Sequence, residues 1–179
     1  MSSFIVRKAT LDDLDVLVKQ RHLMFEEMEP RTEEEHAIGD RTYRIWVRKM
    51  MKDDHLVFFL AEGKKGRIVA GGGVWLRERQ PRLRDKGGLG PYLLSMYTDP
   101  GFRGKGLATS IVKSAEDWSR ENGYYTITLH ASKMGRKLYS ELGWKRGWEM
   151  YKELDSQSSG VEKRGRASAK GRDGSGRHF

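Results

Sequence analysis

Arg103 and Lys105 alternate with Gly101, Gly104 and Gly106 in a short stretch that follows an apolar run over residues 92–98 and a turn at Asp99 and Pro100. A helix-like segment over residues 107–122 begins directly after it. These residue types in this order can hold an anion. The first N–H groups of a helix have no intrahelical partner and point outward. Glycines let backbone approach a phosphate closely, and the two cations add positive charge beside it. Two common phosphate loops do not fit. The dinucleotide fingerprint needs a third glycine where Thr109 stands, and the nucleoside-triphosphate loop needs Ser or Thr where Gly106 follows Lys105.

A second stretch carries Leu138, Tyr139, Leu142, Gly143 and Trp144 after a strand-like run that ends near His130. Arg103-x-x-Gly106-x-Ala108, followed downstream by Leu138-Tyr139-x-x-Leu142-Gly143-Trp144, resembles the GNAT superfamily of acyl-CoA-dependent N-acyltransferases. The resemblance covers the order of elements from Phe4 to Leu154. It implies an enzyme that moves an acetyl group from acetyl-CoA directly to a primary amine, with no metal. It implies that the strand before the loop and the strand at 124–131 splay apart. The backbone of Met96, Tyr97 and Thr98 is then expected to receive the pantetheine arm. Arg103, Gly104, Lys105, Gly106, Leu107, Ala108 and Thr109 are expected around the pyrophosphate, and Ser132 at the cofactor or as a helix cap.

By the same resemblance a backbone N–H of Met96 or Tyr97 faces the developing oxyanion, and Tyr139 stands at the leaving thiolate as the catalytic residue. A free tyrosine titrates near 10 and a thiol near 8.5, so full proton transfer would run uphill by about 2 kcal/mol. Tyr139 therefore acts as a hydrogen-bond donor, or needs a lowered pKa. The base is open among Glu26, Glu27, Glu29, His22, His130 and water. The acceptor is open too, although Arg77, Arg79, Arg82 and Arg84 hint at an acidic one.

Several elements must position these residues. Phe4–Val6 reads as a short strand. Thr10 and Asp13 are spaced as a capping box ahead of a helix over 11–28, and Pro30 ends that helix. Thr32 caps a second helix that opens on Glu33, Glu34 and Glu35 and closes on Arg48, Lys49 and Lys52, an order that suits its dipole. Residues 56–61 and 67–79 read as a hairpin turned at 63–66. The triplet Gly71, Gly72 and Gly73 inside the second strand predicts a bulge or a close approach. Strands are expected at 92–98 and 124–129 and once or twice within 144–154, with a short helix over 133–142. The fold class is α+β: a central mixed, mostly antiparallel sheet with splayed middle strands and helices on both faces.

The 179 residues suit one main domain, expected over 1–154. Residues 155–179 hold six Lys/Arg against three Asp/Glu and almost no large apolar side chain, a composition that predicts a disordered basic tail. The chain has no Cys, which excludes disulfides, thiolate metal sites and a Cys nucleophile. Its five His are too scattered for a metal site. No apolar run reaches the length of a membrane span, so a cytoplasmic location is the expectation. The net charge of +9 attracts anions. One alternative function is a non-catalytic acyl-CoA-binding module whose tail engages RNA or the ribosome; no zinc, helix-turn-helix or RNA-binding signature accompanies the charge.

Overall fold

Thr10 and Thr32 start the N-terminal helices. Asp13 accepts from the Thr10 N–H at 2.8 Å, and the Thr10 hydroxyl accepts from Asp12 N–H at 3.3 Å. The first turn that this box caps is 3-10, Leu11–Asp13, and the α-helix α1 follows as Leu14–Met28. Arg7 donates to both Asp13 and Glu62, which ties the start of that turn to the sheet and holds the Asp13 carboxyl below its usual range. Thr32 and Glu35 form the second capping box, which opens α2, Glu33–Lys52. The computed structural model describes residues 4–28, 31–81, 87–150 and 152.

The sheet is built from β1 (Ile5–Lys8), β2 (Leu56–Glu62), β3 (Ile68–Glu78) and β4 (Leu89–Thr98), antiparallel and in sequence order. Strand alternation divides β2 cleanly between two layers. Leu56, Phe58 and Leu60 pack with Leu14, Leu17, Tyr43 and Val47 beneath α1 and α2. Phe59 and Ala61 pack on the other face with Ile111, Val112 and Ala115 of α3, Leu107–Glu121. Helices therefore cover both faces, as the α+β reading expects.

Three expectations change at the C-terminal side. Residues 124–129 have a strand-like composition, yet they join the sheet only through one parallel bridge, Thr128 to Tyr92. A strand needs a ladder of partners, and past that bridge no backbone hydrogen bond among the described residues joins the segment to β4. The described residues at 144–150 and 152 form no strand. The short helix α4 is Arg136–Glu141, preceded by a turn rather than by helix from residue 133. Met1–Lys145 is one compact unit and Arg146–Phe179 a second. The basic tail from residue 155 lies outside the described residues, and among those described no helix is long and apolar enough to cross a membrane.

The glycine triplet has a steric cause at each position. A Cβ on Gly71 would collide with Gln20 Oε1 of α1 and lie 2.9 Å from Leu60 Cδ2. On Gly72 it would strike Met96 Sδ and lie 2.9 Å from Ile111 Cγ2, and on Gly73 it would enter the Phe58 ring. A bulge also occurs here, on the partner strand: Gly73 pairs with Leu94 and Gly71 with Tyr97, so Ser95 and Met96 together face Gly72. Gly72→Ala should destabilise the protein by about 1–3 kcal/mol in chemical denaturation. Adding Met96→Ala should shrink that cost, because the colliding sulfur is then gone.

Candidate active site

The bulge decides which way β4 presents its side chains and its backbone. Ser95 takes φ 51°, left-handed for a residue with a side chain. Through it Leu93 and Met96 both pack toward α3, while Ser95 Oγ lies 3.2 Å from the Tyr43 hydroxyl on the α2 side. Along the outer edge, Leu93 N–H donates to Thr128 C=O at 2.8 Å and Thr128 N–H donates to Pro91 C=O at 3.1 Å. No backbone bond among the described residues joins 94–98 to 124–131. Asp99 N–H turns inward to Val69 C=O, so by alternation Tyr97 also turns inward and Met96 and Thr98 turn out. Of the three residues whose backbone was expected at the cofactor, Met96 and Thr98 thus turn theirs toward the gap and Tyr97 turns its own toward β3. Tyr97 contributes a buried ring instead, its hydroxyl pushed upward by burial and by the charges of Asp99 and Glu27.

At the end of β4 the chain makes a 3-10 turn, Pro100–Phe102, and then the glycine loop. Gly104 and Gly106 have φ 73° and 77°, and a Cβ on either would meet nothing within 4 Å. Here glycine answers backbone conformation, and the space above the loop is open. Gly106 is the N-cap of α3 and no side chain caps the helix. The first intrahelical bond is Ser110 N–H to Gly106 C=O, so the N–H groups of Leu107, Ala108 and Thr109 have no acceptor within the helix. This is a cradle with room for a phosphate, and the donors fit one.

The two loop cations are engaged by the protein. Arg103 donates through Nε to Thr98 C=O at 3.0 Å and through Nη2 to both Glu27 oxygens at 2.7 Å. It thereby ties the loop to the end of α1. Lys105 Nζ donates to Gly101 C=O at 3.1 Å and lies over the Phe102 ring.

Across the gap, Ser132 Oγ accepts from Gly135 N–H at 3.2 Å, a capping contact for the turn into α4. One turn on, the ring of Tyr139 is half-buried against the α3-side core, and its hydroxyl makes no hydrogen bond among the described residues. Burial, with the nearby Tyr92, pushes it up to about 12. The Tyr92 hydroxyl is itself 2.6 Å from His130 Nδ1. Tyr92, His130 and Tyr139 thus gather at one mouth of the gap.

The remaining proton-accepting candidates stand elsewhere. His22 pairs with Asp40 at 2.8 Å and meets the His36 ring at a tilt, 4.3 Å between centroids, between α1 and α2. Glu27 is on Arg103, Glu26 is exposed, and Glu29 lies outside the described residues. No group of His, Cys, Asp and Glu among the described residues is arranged for a metal. A hollow of about 400 Å³, walled by α3, residues 124–127 and residues 142–145, shares no residue with the loop or with Tyr139. The sequence reading missed Ser95, Tyr43 and Tyr92; the glycine triplet opposite Ser95 was the one signal available. Gly106→Ala should strain the N-cap and raise the Kd for CoA about tenfold by titration calorimetry, since a left-handed non-glycine residue costs roughly 1–2 kcal/mol.

The acetyltransferase (GNAT) family model matches residues 21–144. Glucosamine 6-phosphate N-acetyltransferase of Arabidopsis thaliana is 26% identical over 137 residues, 76% of this chain and 81% of that protein. Among solved structures, a GCN5-related N-acetyltransferase from Ralstonia eutropha superposes with TM-score 0.76 at 28% identity, covering 85% of this chain and 99% of its own. The predicted acetyltransferase of Clostridium acetobutylicum, solved with acetyl-CoA, gives TM-score 0.73 at 28% identity, covering 86% and 96%. The matched span takes in the bulged strand, the glycine loop and the Tyr139 helix, and the chain belongs to the acetyltransferase (GNAT) family of acyl-CoA-dependent N-acyltransferases.

Proposed function

We propose that the chain transfers the acetyl group of acetyl-CoA to a primary amine on a small molecule or peptide. The course of β4 carries this reading. It runs from the mouth of the gap, past a bulge, to an uncapped helix N-terminus, with the outward groups of Met96 and Thr98 between. A molecule with a phosphate at one end and amides along its length matches that course. The acetyl-CoA in the Clostridium acetobutylicum structure supports the donor, and the amino-sugar acceptor named for the Arabidopsis relative supports an amine.

When bound, acetyl-CoA supplies a thioester carbonyl that a neutral amine attacks, releasing the CoA thiolate. Gly104, Lys105 and Gly106, with the first N–H groups of α3 at Leu107, Ala108 and Thr109, bind the pyrophosphate. Arg103 turns toward it by exchanging the Glu27 carboxylate for phosphate oxygen. Tyr139 stays protonated and donates to the thiolate. With its hydroxyl near 12 and a free thiol near 8.5, complete transfer would cost about 5 kcal/mol, so the contact is a hydrogen bond rather than a proton delivery. Ser132 shapes the turn that presents Tyr139.

His130 takes the proton from the amine. Of the candidate bases it is the one joined to Tyr92, which acts in turn on Tyr139. It serves in the tautomer whose Nδ1–H donates to the Tyr92 oxygen, leaving the lone pair on Nε2. Tyr139→Phe should lower kcat about 10²-fold in a thiol-release assay while the KM for acetyl-CoA stays within about threefold, because the lost donor acts only as charge develops. An unchanged kcat would remove Tyr139 from the chemistry.

A further inference from the structure

A row of aromatic rings runs along the α2 side of the sheet to the mouth of the gap. Tyr43 stacks with Trp46 at 5.9 Å between ring centroids, Trp46 meets Trp75 edge-on at 5.2 Å, and Trp75 meets Tyr92 edge-on at 6.5 Å. Register makes this row: Trp75 and Tyr92 are cross-strand partners, and Arg77, two residues from Trp75, shares their face. Opposite Arg77 stands Gly90, which has no side chain to meet it. Arg77 leans along the strand, with its guanidinium carbon 3.9 Å from the Tyr92 ring centroid and 5.9 Å from that of Trp75.

Among the described residues no carboxylate answers its charge. Arg7, Arg44, Arg67, Arg103 and Arg120 each reach a carboxylate. Arg77 has no hydrogen bond or ion pair among the described residues. Arg21 stacks at the other end of the row, over Tyr43, but the charge of Asp40 bears on it. A guanidinium carries its donors at the edge of its plane, where a planar or tetrahedral oxyanion can be gripped by two of them. Tyr92 holds Arg77 on its face and His130 at its hydroxyl. Arg77 and His130 therefore stand against the same phenol, one at its ring face and the other at its hydroxyl.

We propose that the acceptor is a compact amine that also bears a carboxylate or phosphate group, and that Arg77 binds this anionic group against the Trp75–Tyr92 wall. This rests on the acetyl-transfer reading and adds the substrate class to it. The rings of Trp46 and Trp75 give the acceptor an apolar face to lie on, and the anion fixes its orientation so that the amine reaches His130. A neutral amine of the same shape lacks that anchor.

The test compares matched pairs in a thiol-release assay: phosphoethanolamine with ethanolamine, β-alanine with its amide, and glucosamine 6-phosphate with glucosamine. The anionic member of at least one pair should have a kcat/KM at least about tenfold higher, and Arg77→Gln should bring that ratio toward one through KM, as expected for a lost charge-assisted contact. Arg77→Lys should keep part of the preference. No preference in the wild type, or an Arg77→Gln loss equal for both members, would overturn the assignment. Binding is read apart from turnover by titrating CoA-saturated protein with the N-acetyl products in a calorimeter. The anionic products should bind more tightly than the neutral ones, and Arg77→Gln should erase the difference; equal binding overturns the proposal. Failure of acetyl-CoA itself to bind would instead count against the acetyl-transfer reading.

Discussion

β4 is paired with β3 along one edge except at the bulge and, among the described residues, open past Leu93 along the other, and every functional element is placed relative to that open edge. A buried strand with unanswered N–H and C=O groups is costly unless something else meets them. Met96 and Thr98 are turned outward, and one of those groups, the Thr98 carbonyl, is met by Arg103. The same arginine reaches Glu27 at the end of α1. The open edge, the glycine loop and the first helix are thus linked through one guanidinium.

The bulge at Ser95 and Met96 makes the open edge useful. Without it, strand parity would continue unbroken, and Met96 would face α2 while Ser95 faced α3. With it, Met96 seals the α3-side core over Gly72, and Ser95 meets Tyr43 at the start of the aromatic row. The glycines at 71–73 serve packing around this irregularity, whereas Gly104 and Gly106 serve backbone conformation in open space. They are alike in the sequence and opposite in physical cause.

What could be read from the sequence was local. Thr10 with Asp13, Thr32 with Glu35, and Gly106 before Leu107 each act within a few residues, and each was legible from spacing. Residues 56–61 were legible as a strand for the same reason, though a continuous apolar run does not show which of its side chains enters which core. Pairs that meet across the fold were not: Tyr92 with His130 are 38 residues apart and Arg103 with Glu27 are 76 apart, and no spacing rule reaches that far. Residues 124–129 misled because β-like composition describes a side-chain preference, while a strand also requires a neighbour. Arg103 was expected on a phosphate from its motif; its protein partners depend on where α1 ends, which the motif does not encode.

We propose that the donor lies along the open edge of β4 with its phosphates at the start of α3. Backbone amide resonances followed during titration with CoA test it most directly. The largest shifts should fall at Met96, Thr98 and residues 104–109, with little change at residues 124–127 and 142–145. Shifts concentrated around the hollow lined by those last two segments, with the loop amides unmoved, would contradict it.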